Sequence, residues 1–447
     1  MKLVKSLLLG TAAALTAVAG AQAADLPVTK AAPVEYVRVC STHGAGFFYV
    51  PGTDSCIQLS GRVRADYYYA QPRQSFNFGD TNAAAKSGRY QDTIGWRARA
   101  RLNVDVRTPT EYGTLRAYLR FQIDKRSGAD GTGNGALVDK AYIQWAGITA
   151  GYATSFFDFY ASDLNWGAIV TPGSDLTNNL LAYTATFGSG FSATISLEDR
   201  NNRQVNPSFY DVAGQRVPDV VANIRVDQDW GSAQLSGALH QLNSGTIYSP
   251  WGGEWGSRVD TTYGWAVQGG VKLKVPQLGK GDVLWLQAAY ADGALSYIGL
   301  GNNVTIGRVA NSVADGYVYN VTDANGNVVN ADLKTASGWN LTAAGVHYWT
   351  PSIRSTLWGS YTDVEYNTGV ATQTYGTRNL RDFSVWQVGS ALIWSPVSKF
   401  DIGVEVLYGR VERDSFSYYN TATKQFVFDR SRNEDQIQTR LRLQRDF

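Results

Sequence analysis

Between Thr93 and Arg107 the chain takes turns. Trp96, Ala98, Ala100, Leu102, Val104 and Val106 occupy every second position, with Arg97, Arg99, Arg101, Asn103, Asp105 and Arg107 between them. Successive side chains of a β-strand point to opposite faces, so this register predicts a strand with one apolar and one polar wall. A helix would scatter the arginines around its axis. The segment also exceeds the usual strand length of about 5–6 residues, whereas a tilted strand crossing a bilayer needs roughly 9–11.

The alternation recurs. Ile57–Ala70 sets Leu59, Val63, Ala65 and Tyr67 against Gln58, Ser60, Arg62, Arg64 and Asp66, and Tyr112–Asp124 sets Leu115, Ala117, Leu119, Phe121 and Ile123 against Thr114, Arg116, Tyr118, Arg120 and Gln122. Further segments are Val138–Ala146, Ile148–Ser155, Leu180–Phe187, Phe191–Asp199, Val220–Asp229, Ser232–Gln241, Tyr263–Val275, Asp282–Asp292, Gly338–Trp349, Ile353–Glu365, Phe383–Trp394, Asp401–Glu412 and Glu434–Phe447. Their connections alternate in length. Thr108–Glu111, Gly147, Gly188–Gly190, Trp230–Gly231, Pro276–Gly281, Thr350–Ser352 and Ser395–Phe400 are short and rich in turn residues. Gln71–Asp92, Lys125–Leu137, Phe156–Asn179, Arg200–Asp219, Leu242–Thr262, Gly293–Ser337, Tyr366–Asp382 and Arg413–Asn433 are long. Outer-membrane barrels have short periplasmic turns and long external loops; a soluble propeller or sandwich offers no reason for this pattern. An open sheet edge in lipid would leave backbone groups unpaired at several kcal/mol each, so the first and last segments must pair. The predicted fold class is all-β: a transmembrane antiparallel β-barrel of about 16 strands with both chain ends periplasmic. Since nearly every segment shows one polar and one apolar face, no fully buried core is expected.

Composition agrees. Tyr 26, Trp 13, Phe 17 and Gly 46 are high, Met 1 is low, and charged residues make up 17%, below the usual quarter. Lys+Arg 40 against Asp+Glu 38 argues against a nucleic-acid partner, which would select a strong basic excess. Lys2 and Lys5, the apolar run Leu7–Ala19 and Ala21-Gln22-Ala23 read as a signal peptide over residues 1–23; the apolar run is too short for a membrane anchor. Residues 24–56 then form an N-terminal periplasmic segment and residues 57–447 the barrel. Beyond Ala24 no run of ~18 apolar residues occurs, and mean hydropathy is −0.23. Cys40 and Cys56 in an exported chain suggest one disulfide, closing a loop for which chain entropy predicts about 3 kcal/mol; two free thiols are the alternative. No cofactor is indicated and no metal site: the cysteines lack CxxC spacing, and His43, His240 and His347 are scattered.

Trp145, Phe187, Trp230, Trp349 and Trp394 flank the short turns, as expected of an interfacial aromatic girdle, with ordinary core aromatics as the alternative. The final strand ends in Phe447, similar to the signal read by the outer-membrane assembly machinery. The lipid and lipopolysaccharide of that membrane are the expected surroundings.

Glu35–Gly61, EYVRVCSTHGAGFFYVPGTDSCIQLSG, resembles the opening of the alphaproteobacterial general porins, the rhizobial-type outer-membrane porins. Ala150–Tyr160, AGYATSFFDFY, resembles the start of that family's pore-constricting loop. Weaker likeness runs to Phe447. The resemblance implies a trimeric, water-filled, sixteen-stranded channel for ions and small hydrophilic solutes, with Phe156–Asn179 folded inward.

By parity, Arg62, Arg64, Arg97, Arg99, Arg101, Arg116, Arg120, Lys140, Arg440 and Arg442 face the lumen, and Asp158, Asp163 and Asp175 lie on the inward loop. Opposed charges across a narrow wet channel create a transverse field that orients dipolar solutes and filters ions. Asp66, Asp105, Asp124 and Glu405 oppose the basic excess, so the sign of ion preference is open. Three other functions compete. Phe156, Phe157, Phe159, Tyr160 and Trp166 allow a substrate-specific channel for sugars or an anion. An outer-membrane hydrolase would need a nucleophile beside a base such as His240, but no Gly-x-Ser-x-Gly elbow is present. A soluble secreted binding protein would be extractable without detergent.

Overall fold

The alternation closes into a ring. The computed structural model describes residues 38–447 except 72–91, 130–132, 206–211, 249–253, 259, 307–308, 323–327, 367–379, 421–424 and 430–431. The expected signal peptide and the start of the N-terminal segment lie outside the described residues. The sixteen strands are β1 Cys56–Ala70, β2 Ile94–Thr110, β3 Gly113–Gly128, β4 Gly133–Trp145, β5 Ile148–Thr154, β6 Thr177–Gly188, β7 Phe191–Glu198 and β8 Asp219–Gln228, followed by β9 Gly231–Leu242, β10 Thr262–Lys274, β11 Val283–Asp292, β12 Ser337–Thr350, β13 Ile353–Glu365, β14 Phe383–Val397, β15 Phe400–Arg413 and β16 Arg432–Asp446. Each pairs antiparallel with the next. β16 returns to β1, with Arg62 opposite Asp446 and Ala70 opposite Gln438, so every edge is paired, as lipid demands. Phe447 extends the seam by exchanging backbone hydrogen bonds with Gly61 at 3.0 and 3.1 Å. Its ring fills the space a Cβ would take at Gly61.

Leu59, Leu102, Leu119 and Leu357 are exposed on the outer wall, as are Trp145, Phe187, Trp230, Trp349 and Trp394 beside the short turns. Large apolar side chains in such numbers on a surface mark contact with lipid. The predicted segments all form strands, with one notable shift. The expected long loop Lys125–Leu137 is mostly strand, because β3 continues to Gly128 and β4 begins at Gly133. Lys125, Arg126 and Ser127 carry the ladder beyond the apolar band. Pairing there needs no greasy face, so polar composition was a poor guide to the strand's end.

The expectation of no buried core fails. On β8–β15 part of the inner face is apolar: Val221, Ala238, Ala266, Ala289, Ala291, Val364, Val385 and Val411 are buried. They pack with Phe157 and Val170 of the third external loop and with Ala294, Leu295, Tyr297 and Ile298 of the sixth. The strict apolar–charged alternation belongs to β1–β3. On β8–β15 small and apolar inner positions lie among polar ones such as Asn223, Gln234, Gln268, Gln287 and Gln387, and folded-in loops cover much of this face instead of water.

The disulfide between Cys40 and Cys56 is formed and buried with Phe47. Phe48–Tyr49 pairs with the start of β1, which turns the preceding residues onto the inner wall at the periplasmic end. Gln58 Nε2 donates to the Ala45 carbonyl at 3.0 Å, and the Arg107 guanidinium stands 4.7 Å from the Phe47 ring centre.

Candidate functional site

Register stacks the arginines. Arg62 lies directly opposite Arg101, and Arg64 opposite Arg99. Like charges facing each other across a ladder repel, and inward carboxylates offset most of this. Arg99 meets Asp124 at 2.6 Å. Arg97 and Arg442 share Asp66 at 2.8 and 2.6 Å. Arg62 meets Asp446 at 2.5 Å, and Arg107 and Arg116 share Asp105 at 3.0 and 2.9 Å. Asp139 lies between Arg101, at 3.7 Å, and Arg120, at 3.5 Å. Strict parity assigned Asp139 no inward place. A register shift opposite Arg120 and Phe121 inserts one residue into β4, so that Asp139 and Lys140 both border the lumen; a bulge leaves little local sequence signature. Lys140 donates to the Thr154 hydroxyl. Arg64 donates to the Gln444 amide oxygen from Nε at 3.0 Å and Nη2 at 2.9 Å.

A loop folded inside a barrel must still satisfy its backbone polar groups, and here successive strands supply the partners. Asn223 on β8 donates to the Phe156 carbonyl at 2.6 Å. Gln234 on β9 donates to the Asp158 carbonyl at 3.1 Å and Gln268 on β10 to the Phe157 carbonyl at 2.9 Å. The Gln287 carbonyl on β11 accepts from the Tyr160 amide at 2.9 Å. Thr342 on β12 donates to the Pro172 carbonyl at 3.2 Å. Gln387 on β14 accepts from the Ile169 amide at 2.8 Å and donates to the Val170 carbonyl at 2.7 Å. Glu405 on β15 accepts from the Trp166 amide at 2.7 Å, and Arg440 on β16 donates to the Trp166 carbonyl. Absent side chains make room: the Phe159 ring and the Ile169 side chain occupy the Cβ spaces of Gly270 and Gly409. Arg440 was expected on the basic wall and Glu405 among the opposing carboxylates; the other anchors were not legible as a site, although inward-parity glutamines among small and apolar neighbours are a signal that could have flagged them.

Loop and basic wall enclose a polar cavity of about 780 Å³. Of the predicted residues, Arg62, Arg64, Arg99, Arg101, Arg120, Lys140, Arg442, Asp163 and Asp175 line it, joined by Asp139, Arg354 and Asp401. Arg354 and Asp401 pair across β13 and β15 at 2.6 Å and were missed among weaker alternations. Arg97, Arg116 and Arg440 lie outside that lining. Asp158 is corrected more sharply. It is buried and faces away from the cavity, accepting from the Ser174 hydroxyl, from the Leu176 amide at 2.7 Å and from Arg203 at 3.3 Å. It closes the base of the loop. Both members of the Asp158–Arg203 pair are 1% exposed in their side chains; a buried carboxylate requires such a partner. Asp163 and Asp175 are open to the cavity yet ringed by protein, and this enclosure raises both carboxyls above the usual carboxylate range. The loop aromatics form no exposed track. Phe157, Phe159 and Tyr160 are buried anchors, and Trp166, which borders the cavity, is covered by Arg442 at 4.6 Å from its ring.

Above the loop a second polar cluster pins the sixth loop. His240 Nδ1 meets Asp219 at 2.9 Å, and Tyr297 donates to the same carboxylate at 2.8 Å. Asp315 accepts from the Val205 and Leu295 amides, each at 2.7 Å. Complete burial lifts its carboxyl to about 6. His240 is 1% exposed.

The family model described as Porin subfamily matches residues 25–438. Porin Omp2b of Brucella abortus is 34% identical over 324 residues, covering 65% of this chain and 85% of that protein. Porin Omp2b of Brucella melitensis is 35% identical over 326 residues with the same coverage. Among solved structures, the outer membrane channel DcaP of Acinetobacter baumannii superposes with a TM-score of 0.61 at 19% identity, over 89% of this chain and 99% of that one, a likeness of fold. Paired edges, a lipid-facing apolar wall and this match over most of its length place the chain in the porin family: it is an outer-membrane β-barrel channel.

Proposed function

We propose that the cavity between the basic wall and the third loop is the constriction of a passive diffusion path for ions and small hydrophilic solutes, with a preference for anions. The supporting observation is the charge facing one narrow space: Arg62, Arg64, Arg99, Arg101, Arg120, Lys140, Arg354 and Arg442 against Asp139, Asp163, Asp175 and Asp401. Most of the cations lie on β1–β4 and β16, and Asp163 and Asp175 project from the loop opposite, so a transverse field crosses the path. Chemistry on the solute is not part of this reading. His240, the one base that was a candidate, is sealed against Asp219 where no solute reaches it. Burial of Phe157, Phe159 and Tyr160 favours general diffusion over an aromatic sugar slide. Residues 1–23, with their basic start, apolar run and small-residue end, direct export, and Phe447 serves the assembly machinery; the functional unit is a homotrimer, as the resemblance to rhizobial-type porins implies.

The test is planar-bilayer reconstitution with reversal potentials measured in a KCl gradient. The wild-type protein is expected to favour chloride, and Arg99→Ser with Arg101→Ser to move the potential toward potassium. An unchanged potential would remove these residues from the conducting wall.

A further inference from the structure

The cations bordering the cavity differ in how they are balanced. Arg62, Arg99, Arg354 and Arg442 each have a carboxylate within 2.6 Å, and Arg101 and Arg120 flank Asp139. Among the described residues Arg64 has no carboxylate within 4.0 Å. Its fork rests on a neutral amide oxygen, that of Gln444. Register holds it opposite Arg99, and the charges nearest in effect are those of Arg442, Asp66, Arg62 and Arg101. Asp66, the single negative group among them, is already shared by Arg97 and Arg442. Arg64 is therefore a guanidinium among like charges, half-buried, at the edge of a solute path.

We infer that Arg64, flanked by Arg62 and Arg101, is a binding subsite for a small oxyanion of the phosphate type within that path. Gln444 holds the Nε–Nη2 edge of Arg64, and the opposite edge, Nη1 with the second Nη2 hydrogen, still presents two parallel donors that match two oxygens of one anion. A tetrahedral oxyanion also has oxygens left over for the neighbouring Arg62 or Arg101, both of which line the same cavity. Chloride is a single point and cannot bridge in this way. The anion would supply the compensating charge that the wall itself lacks at this position. The inference rests on the cavity being the conduction path.

Inorganic phosphate is the probe, added to single channels of the full-length protein conducting KCl. Wild-type current is expected to fall saturably with phosphate concentration. Arg64→Gln should raise the half-blocking concentration by about tenfold, the usual scale for loss of a charge-assisted hydrogen bond. Lys125→Gln removes a cation from the outer face of β3 and should leave the block unchanged. Arg101→Gln provides a second variant at the subsite should Arg64→Gln yield no channels. Block that is absent in the wild type, or equal in the wild type and the Arg64 or Arg101 variant, overturns the subsite while channels still conduct. Failure of the wild-type protein to conduct at all would instead overturn the diffusion reading.

Discussion

Gln387→Leu should loosen the third loop without opening the barrel. Gln387 is 2% exposed and both ends of its amide are in use: the carbonyl accepts from the Ile169 amide, and the nitrogen donates to the Val170 carbonyl and to Ser360 at 2.9 Å. Leucine fills a similar volume and can do neither. Two loop backbone groups then lose their partners inside the barrel, each at roughly 1–3 kcal/mol. At the low end the docked loop is weakened by ~2 kcal/mol, about thirtyfold in its opening constant. Phe156, Phe157, Phe159, Tyr160, Leu164 and Trp166 make the opened segment a chymotrypsin substrate. When reclosing is faster than cleavage, nicking follows the open population. Folded protein in detergent should therefore be nicked between residues 156 and 166 about thirtyfold faster in the variant. Gln144→Leu provides the control, because Gln144 is bonded to Arg116 and not to the loop. Equal nicking rates in Gln387→Leu and the wild type would refute the claim that wall amides hold the loop.

Three further outcomes are expected. Acidification from pH 7 toward 5 should strengthen chloride preference: the raised carboxyls of Asp163 and Asp175 take up protons before ordinary carboxylates and leave the arginines less opposed. Asp163→Asn with Asp175→Asn should abolish that drift in the reversal potential. Cys40→Ser with Cys56→Ser should lower stability by about 3 kcal/mol on chain entropy, read as an earlier denaturation midpoint, with reduced wild-type protein behaving alike. Gly61→Val should obstruct seam closure by pressing on the Phe447 ring and the Arg101 carbonyl, and a folded yield equal to wild type would contradict that packing.

Sequence alone determined the barrel, its approximate strand count and its inner and outer faces, and it pointed to the disulfide that the structure forms. The reason is local: a period of two is a property of each strand by itself, and lipid forces its greasy side outward and its ends to pair. It also located the arginines of β1–β3, whose alternation with alanine, leucine and valine is strict. Tertiary structure decided what those side chains meet. Asp139 turned inward through a bulge set by the neighbouring strand. Asp158 became the buried partner of Arg203, 45 residues away, and not a charge on the path. The inner faces of β8–β15 became part of a core because external loops, above all the third and sixth, returned to cover them, and their glutamines became backbone anchors for the third. Each of these depends on which distant segment arrives at a face, and side-chain parity along a strand records only that a face exists.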